Sequence, residues 1–124
     1  MAWKEKPVRR IYHLVPKAVW EQVGAGPYRP ASLASEGFIH CSHHHQVAWA
    51  ANRFYAEEPE LLVLDIDPDL LGSRVVDEPG DTGEHFPHIY GPLERAAVTQ
   101  VRPLQRGPDG RWTFPGERET ETTS

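Results

Sequence analysis

Three histidines in this chain share one local setting. His13 stands in Ile11-Tyr12-His13-Leu14, His40 in Gly37-Phe38-Ile39-His40-Cys41-Ser42, and His88 in Pro87-His88-Ile89-Tyr90-Gly91-Pro92. In each, apolar or aromatic neighbours flank the imidazole, as in a strand that carries one polar ring into a cleft. An imidazole donates one hydrogen bond, accepts another and changes charge near neutral pH. Three together could bind polar groups of a ligand and move a proton. Read at period two, Phe38, His40 and Ser42 share one face, and Ile39 and Cys41 the other. The pattern predicts that His13, His40 and His88 converge on one concave surface, within about 10 Å, in a pocket of small-ligand size.

Other residue types extend that chemistry. Arg29, beside Tyr28, and Arg53, on a predicted helix, offer guanidinium forks to phosphate oxygens. Tyr90 presents a ring that can lie against a flat ligand, with Gly91 permitting close approach. Ser42 serves equally as a site contact or a helix cap, and no Gly-x-Ser-x-Gly elbow marks it as a nucleophile. Cys41 points away from His40 and reads as a small buried hydrophobe. The run His43-His44-His45 invites a metal. On a helix, however, its rings would point about 100° apart, too dispersed to supply the three or four ligands of zinc. No metal site is expected. Glu78 and Glu84 are candidates for acid–base or ribose-binding work, but rank low because they fall in a segment read as loop.

These residues need positioning by short elements. Residues 8–15 read as a strand, with Ile11, His13 and Val15 on one face and Tyr12 and Leu14 on the other. Pro16 starts a helix to about Val23, stopped by Gly24-Ala25-Gly26-Pro27. Ser32 caps one helical turn to Glu36, and residues 37–42 form a second strand. A helix over residues 43–57 carries the apolar stripe Val47, Ala50, Ala51 and Phe54. Leu61-Leu62-Val63-Leu64-Asp65-Ile66-Asp67 is almost continuously apolar and is expected at the centre of a sheet. Residues 73–77 follow as a strand, 78–87 as a mobile acidic loop, 96–104 as a late strand and 112–114 as a short extended piece.

The 124 residues, 39% hydrophobic with twelve prolines and ten glycines, fit one α+β domain over residues 1–115 and a polar, disordered tail over 116–124. The formal charge of -5 opposes general affinity for nucleic acid or an anionic membrane, while leaving room for a small nucleotide. One cysteine excludes an internal disulfide framework and suits a reducing compartment. With no hydrophobic leader and no apolar run of spanning length, the expected location is the cytoplasm.

The segments Ile11-Tyr12-His13-Leu14, Tyr28-Arg29-Pro30, Gly37 to Ser42, Asn52-Arg53-Phe54-Tyr55 and Phe86-Pro87-His88-Ile89-Tyr90-Gly91-Pro92-Leu93 together resemble the bacterial family called domain of unknown function 952. The match runs from about Arg10 to Val98. That family is regarded as a compact relative of the ADP-ribosyltransferase fold, in which two small antiparallel sheets grip the nicotinamide end of NAD. The resemblance implies split antiparallel sheets with two or three short helices. It also implies that His13 bonds the sugar next to the leaving group, that His40 and Ser42 line the cleft, and that His88 stands where a ribose-holding glutamate is often found. The departure from glutamate at His88 puts transfer to a protein side chain in question.

The expectation is therefore a cytoplasmic protein that binds NAD or a related nucleotide. Its catalytic candidates are His13, His40 and His88. Its ligand contacts are Tyr28, Arg29, Ser42, Arg53, Tyr90 and Gly91. The possible reaction is N-glycosidic cleavage or ADP-ribosyl transfer. A non-catalytic nucleotide-binding module and a metal-dependent hydrolase using the histidine tract are the alternatives.

Overall fold

A computed structural model describes residues 9–115. Two three-stranded antiparallel sheets and a small hairpin make up the β-structure. The first sheet has the order β1-β3-β6, with β1 at Ile11–Pro16, β3 at Leu61–Ile66 and β6 at Val98–Pro103. The second has the order β2-β5-β4, with β2 at Ile39–His40, β4 at Arg74–Pro79 and β5 at His85–Tyr90. Strands β7 (Gln105–Arg106) and β8 (Trp112–Thr113) pair separately. The helices are short: α1 at Lys17–Trp20, α2 at Ala31–Glu36 and α3 at Val47–Phe54.

β3 is buried at all six positions because apolar layers cover both faces of the first sheet. Ile11 and Val15 pack on one side with Leu62, Leu64, Ile39 and Ile89. Tyr12 and Leu14 pack on the other with Val63, Trp112 and the Val47, Ala50 and Ala51 stripe of α3. Asp65 is the polar exception in β3. Its two oxygens accept from Arg102 Nε at 3.1 Å and Nη2 at 2.9 Å, a forked pairing that lets a carboxylate remain buried. Phe54 does not join the expected stripe, being 62% exposed.

Among the described residues the two sheets share one backbone rung, at Tyr12 and Ser42. Tyr12 N–H donates to Ser42 O at 2.9 Å, and Ser42 N–H donates to Tyr12 O at 2.7 Å. The second sheet packs one face on the core shared with the first. Ile39, Cys41, Pro87 and Ile89 form that inner face, whereas His40 is exposed and Phe38, His88 and Tyr90 are half-buried on the outer one.

Several element boundaries differ from the sequence reading. α1 is one turn rather than a helix to Val23, and α3 starts at Val47 after a 3₁₀ turn, His44–Gln46, whose N-cap is His43 rather than Ser42. Gly37 ends α2 at φ 91°, in the left-handed region that glycine tolerates. The largest correction concerns residues 78–87. The predicted loop is a β-hairpin, with Glu78 opposite Phe86 and Pro79 opposite His85. The expected disordered tail lies outside the described residues, as does Val8.

Candidate functional site

The open face of the second sheet gathers its aromatic and imidazole rings by strand pairing. β2 sets His40 opposite His88 in β5, so their side chains fall on the same face. Their ring centroids are 5.3 Å apart and nearly perpendicular. Phe38 lies flat on His88, with centroids 4.0 Å apart and planes 12° from parallel. The same Phe38 meets His40 edge-on at 4.8 Å and Tyr90 at 5.4 Å.

β4 supplies the acid. Glu78 Oε1 accepts from His88 Nδ1–H at 2.6 Å and from the Tyr90 hydroxyl at 2.6 Å. Those two bonds, the tyrosine's first and then the histidine's, hold the Glu78 carboxyl below its ordinary range and raise Tyr90. Glu78 is thus a carboxylate, an acceptor only. His88 must carry its proton on Nδ1, which leaves Nε2 as an acceptor when the ring is neutral. Among the described residues no donor reaches Glu78 Oε2. The Arg74 guanidinium lies over the Tyr90 ring at 5.0 Å, which gives this face a cation. His40 Nε2 donates to Glu36 Oε1 at 3.1 Å.

His13 is not part of this surface. It shares a strand face with Ile11 and Val15, the face turned to the core, and is 7% exposed. Its Nδ1–H donates to the backbone carbonyl of His40 at 2.7 Å, so its Nε2 accepts from the Tyr28 hydroxyl at 3.1 Å. Burial pushes its pKa down to about 4 and that of Tyr28 up to about 12. His13 therefore lies behind β2 while His40 and His88 stand in front of it, which corrects the expectation of one surface for all three. Identical flanking patterns in sequence do not set strand phase, because the phase depends on how β1 abuts β2.

The remaining candidates divide in the same way. Tyr28 is buried with His13, and Ser42 is 5% exposed at the rung between the sheets. Arg29 is exposed in the connection after Tyr28 and is not among the side chains touching His40, His88 or Tyr90. Arg53 lies over Phe54 at 5.5 Å on α3. Gly91 admits the side chain of Ser73, which a Cβ at that position would strike. Its close neighbour is protein, not ligand. The three rings of His43-His44-His45 take separate partners. His43 Nε2 bonds Asp77 Oδ1 at 2.7 Å, His45 Nε2 meets Glu84 Oε1 at 3.3 Å, and His44 stacks on Phe114 at 4.6 Å. Among the described residues no three His, Cys, Asp or Glu side chains gather as a metal site.

The sequence reading ranked Glu78 low and did not single out Gln46. The buried Gln46 amide accepts from His43 N–H at 2.8 Å and donates to Glu84 Oε1 and His85 O, both at 2.9 Å. It thereby fastens the start of α3 to the hairpin that carries Glu78. A separate cleft of about 340 Å³ opens on the inner side, lined by Arg9, Ile11, His43, Asp69, Val75 and Asp77 among others.

The family model for "Protein of unknown function (DUF952)" matches residues 14–101, a span that contains β2, α3 and the whole Glu78 hairpin. The chain belongs to the DUF952 family. No curated protein matches it. Among solved structures it is similar to protein CC0527 from Caulobacter crescentus. The crystal structure of that protein has 29% identity and a TM-score of 0.74, covering 84% of this chain and 93% of the other. Its solution NMR structure has 27% identity and a TM-score of 0.71, covering 93% and 98%. The shared DUF952 fold is thus a mixed α+β arrangement of antiparallel sheets with few helices. No helix among the described residues is long and apolar enough to cross a membrane.

Proposed function

We propose that this DUF952 chain binds a nucleotide, NAD or a relative, on the open face of the second sheet, and that it cleaves or transfers at the N-glycosidic bond. The observation that carries this reading is Glu78, held on one oxygen by His88 and Tyr90 beside the Phe38–His88 stack. A flat heteroaromatic ring packs against such a stack. The second carboxylate oxygen can accept from a ribose hydroxyl. A carboxylate fixed in that position steadies a ribose carbon as positive charge develops on it. The split pair of antiparallel sheets supports kinship with the ADP-ribosyltransferase fold. On this reading the acid absent from the His88 motif comes from the neighbouring strand.

In the reaction the bond from ribose C1′ to the pyridinium nitrogen breaks, and nicotinamide leaves with the electron pair. Water, or an acceptor hydroxyl, adds at C1′ and gives its proton to His88 Nε2. The test is incubation with NAD, with nicotinamide release followed by chromatography and binding by calorimetry. Wild type should do both. Glu78→Gln keeps an acceptor but no charge, and should bind within about tenfold while losing release by roughly 100-fold or more, as for removal of an electrostatic transition-state contact. Binding without release by wild type would make the protein a non-catalytic nucleotide module. Absence of NAD binding at millimolar concentration would overturn the reading.

A further inference from the structure

The inner side of the second sheet carries chemistry that the Glu78 face does not use. Val75 and Asp77 alternate with Glu78 along β4 and so turn to the opposite side of the sheet. There they line the cleft of about 340 Å³, a volume at the small end of the range for ligand sites. Ile11 and Pro87, both buried, and the half-buried Val75 give it an apolar wall. Three charged side chains, Arg9, Asp69 and Asp77, line the same space. Asp77 is oriented by His43, whose Nε2–H donates to Oδ1 at 2.7 Å, and among the described residues no donor reaches Oδ2. Asp69 stands in the 3₁₀ turn Pro68–Leu70, which Asp67 pins by accepting from Asp69 N–H at 3.0 Å. The ladder that pairs Ile11 with Ile66 sets Arg10 beside Asp67, 3.8 Å away, and Arg9 alternates to the side of Ile11. Among the described residues neither the Arg9 guanidinium nor the Asp69 carboxylate has an ion pair or a side-chain hydrogen bond.

An anionic ligand would meet two carboxylates in this cleft against one guanidinium. A cationic ligand would leave Arg9 unmatched. A small molecule carrying both charges satisfies all three side chains, and an apolar branch on it covers the wall. We infer that the cleft binds a free aliphatic α-amino acid, with its carboxylate on Arg9, its ammonium on Asp69 and Asp77, and its side chain against Ile11, Val75 and Pro87. The guanidinium fork matches a carboxylate, and an ammonium has three donors to divide between two acids. A peptide of several residues would overfill a space of this volume. The site does not depend on the nucleotide reading, because it lies on the other side of β4 from Glu78.

The experiment titrates the full chain with L-leucine, with isoamylamine, which lacks the carboxylate, with isocaproate, which lacks the ammonium, and with glycine, which lacks the apolar branch. Calorimetry gives the affinities and backbone amide NMR the place of binding. Wild type should bind L-leucine about tenfold or more tightly than isoamylamine or isocaproate, the return on one charged hydrogen bond. Glycine should also bind about tenfold more weakly, for want of the buried side chain. Amide shifts should centre on Ile11, Asp69, Val75 and Asp77 and spare His88 and Tyr90. Arg9→Gln should bind leucine and isoamylamine alike, and Asp69→Asn should shrink the preference for leucine over isocaproate. Three wild-type results each overturn the inference: no binding of L-leucine at millimolar concentration, affinity for leucine no greater than for one of the other probes, or shifts centred on His88. Wild-type selectivity retained in both variants overturns it as well. Arg9 and Asp69 are exposed, so both variants should melt with the wild type. If either fails to fold, the four-probe comparison on wild type decides without it.

Discussion

His13 lies in the interior, whereas Glu78 stands on the open face of the second sheet. His13 has both nitrogens engaged in the interior, which makes it a scaffold residue with a pH signature. In the unfolded chain its imidazole takes a proton near pH 6.5, whereas in the fold it stays neutral down to about pH 4. Between those values the unfolded state binds more protons, so stability falls as pH falls through the window and levels off below it. The size is about 3 kcal/mol for a shift of this order. Urea unfolding between pH 7.5 and 4 should show that slope in wild type, and His13→Ala should flatten it. The alanine variant should also be less stable at pH 7.5 by about 2–4 kcal/mol, from the cavity and the stranded His40 carbonyl and Tyr28 hydroxyl. NAD affinity in its folded fraction should stay within a few-fold. A folded alanine variant with normal stability and lost binding would return His13 to the site.

At the scale of elements, the central strands were legible because their residues are apolar wherever a layer covers them, as Leu61–Ile66 is throughout. The hairpin of β4 and β5 was not. Pro79, Gly80, Gly83 and Pro87 are loop signals by local propensity, and proline is rare in a central strand. Pro87 nevertheless sits between β4 and β2, with its carbonyl accepting from Cys41 N–H at 3.0 Å, so tertiary pairing outweighs that preference. Hidden in the misread hairpin was Glu78, whose reach to His88 and Tyr90 depends on register alone. Gly91 tests the end of the same strand. A Cβ there would lie 2.8 Å from Ser73 Cβ, which forces the β4 start away. Gly91→Ala should therefore cost about 1–3 kcal/mol in thermal or urea unfolding. Adding Ser73→Gly should recover part of that, less the bond from Ser73 Oγ to Pro92 O. Equal losses in the single and double variants would mean that the glycine is needed for another reason.

For the molecule as a whole, the histidine tract joins parts that the two sheets leave apart. His43 reaches β4 at Asp77, His45 reaches the hairpin turn at Glu84, and His44 packs between Tyr12 of β1 and Phe114. The sequence could not name the partners of these rings, which lie between 32 and 70 residues away. The extended backbone at His43 followed by a 3₁₀ turn sets the His43 and His45 rings parallel with centroids 6.3 Å apart, not dispersed as an α-helix would place them. Single alanine variants should rank by these contacts in urea unfolding. His44→Ala should cost the most, about 1 kcal/mol for lost ring packing. His45→Ala, on a side chain 72% exposed, should fall within about 0.5 kcal/mol of wild type. A larger loss at His45 than at His44 would contradict the arrangement.

The rung at Tyr12 and Ser42 has a geometric corollary. In an antiparallel ladder the next hydrogen-bonded pair after it would be Leu14 with His40. The imidazole of His13 takes the His40 carbonyl instead. One imidazole thus occupies, with a side-chain bond, the position where a second backbone rung would stand. A shorter residue at position 13 takes that ring away and leaves the His40 carbonyl without its donor.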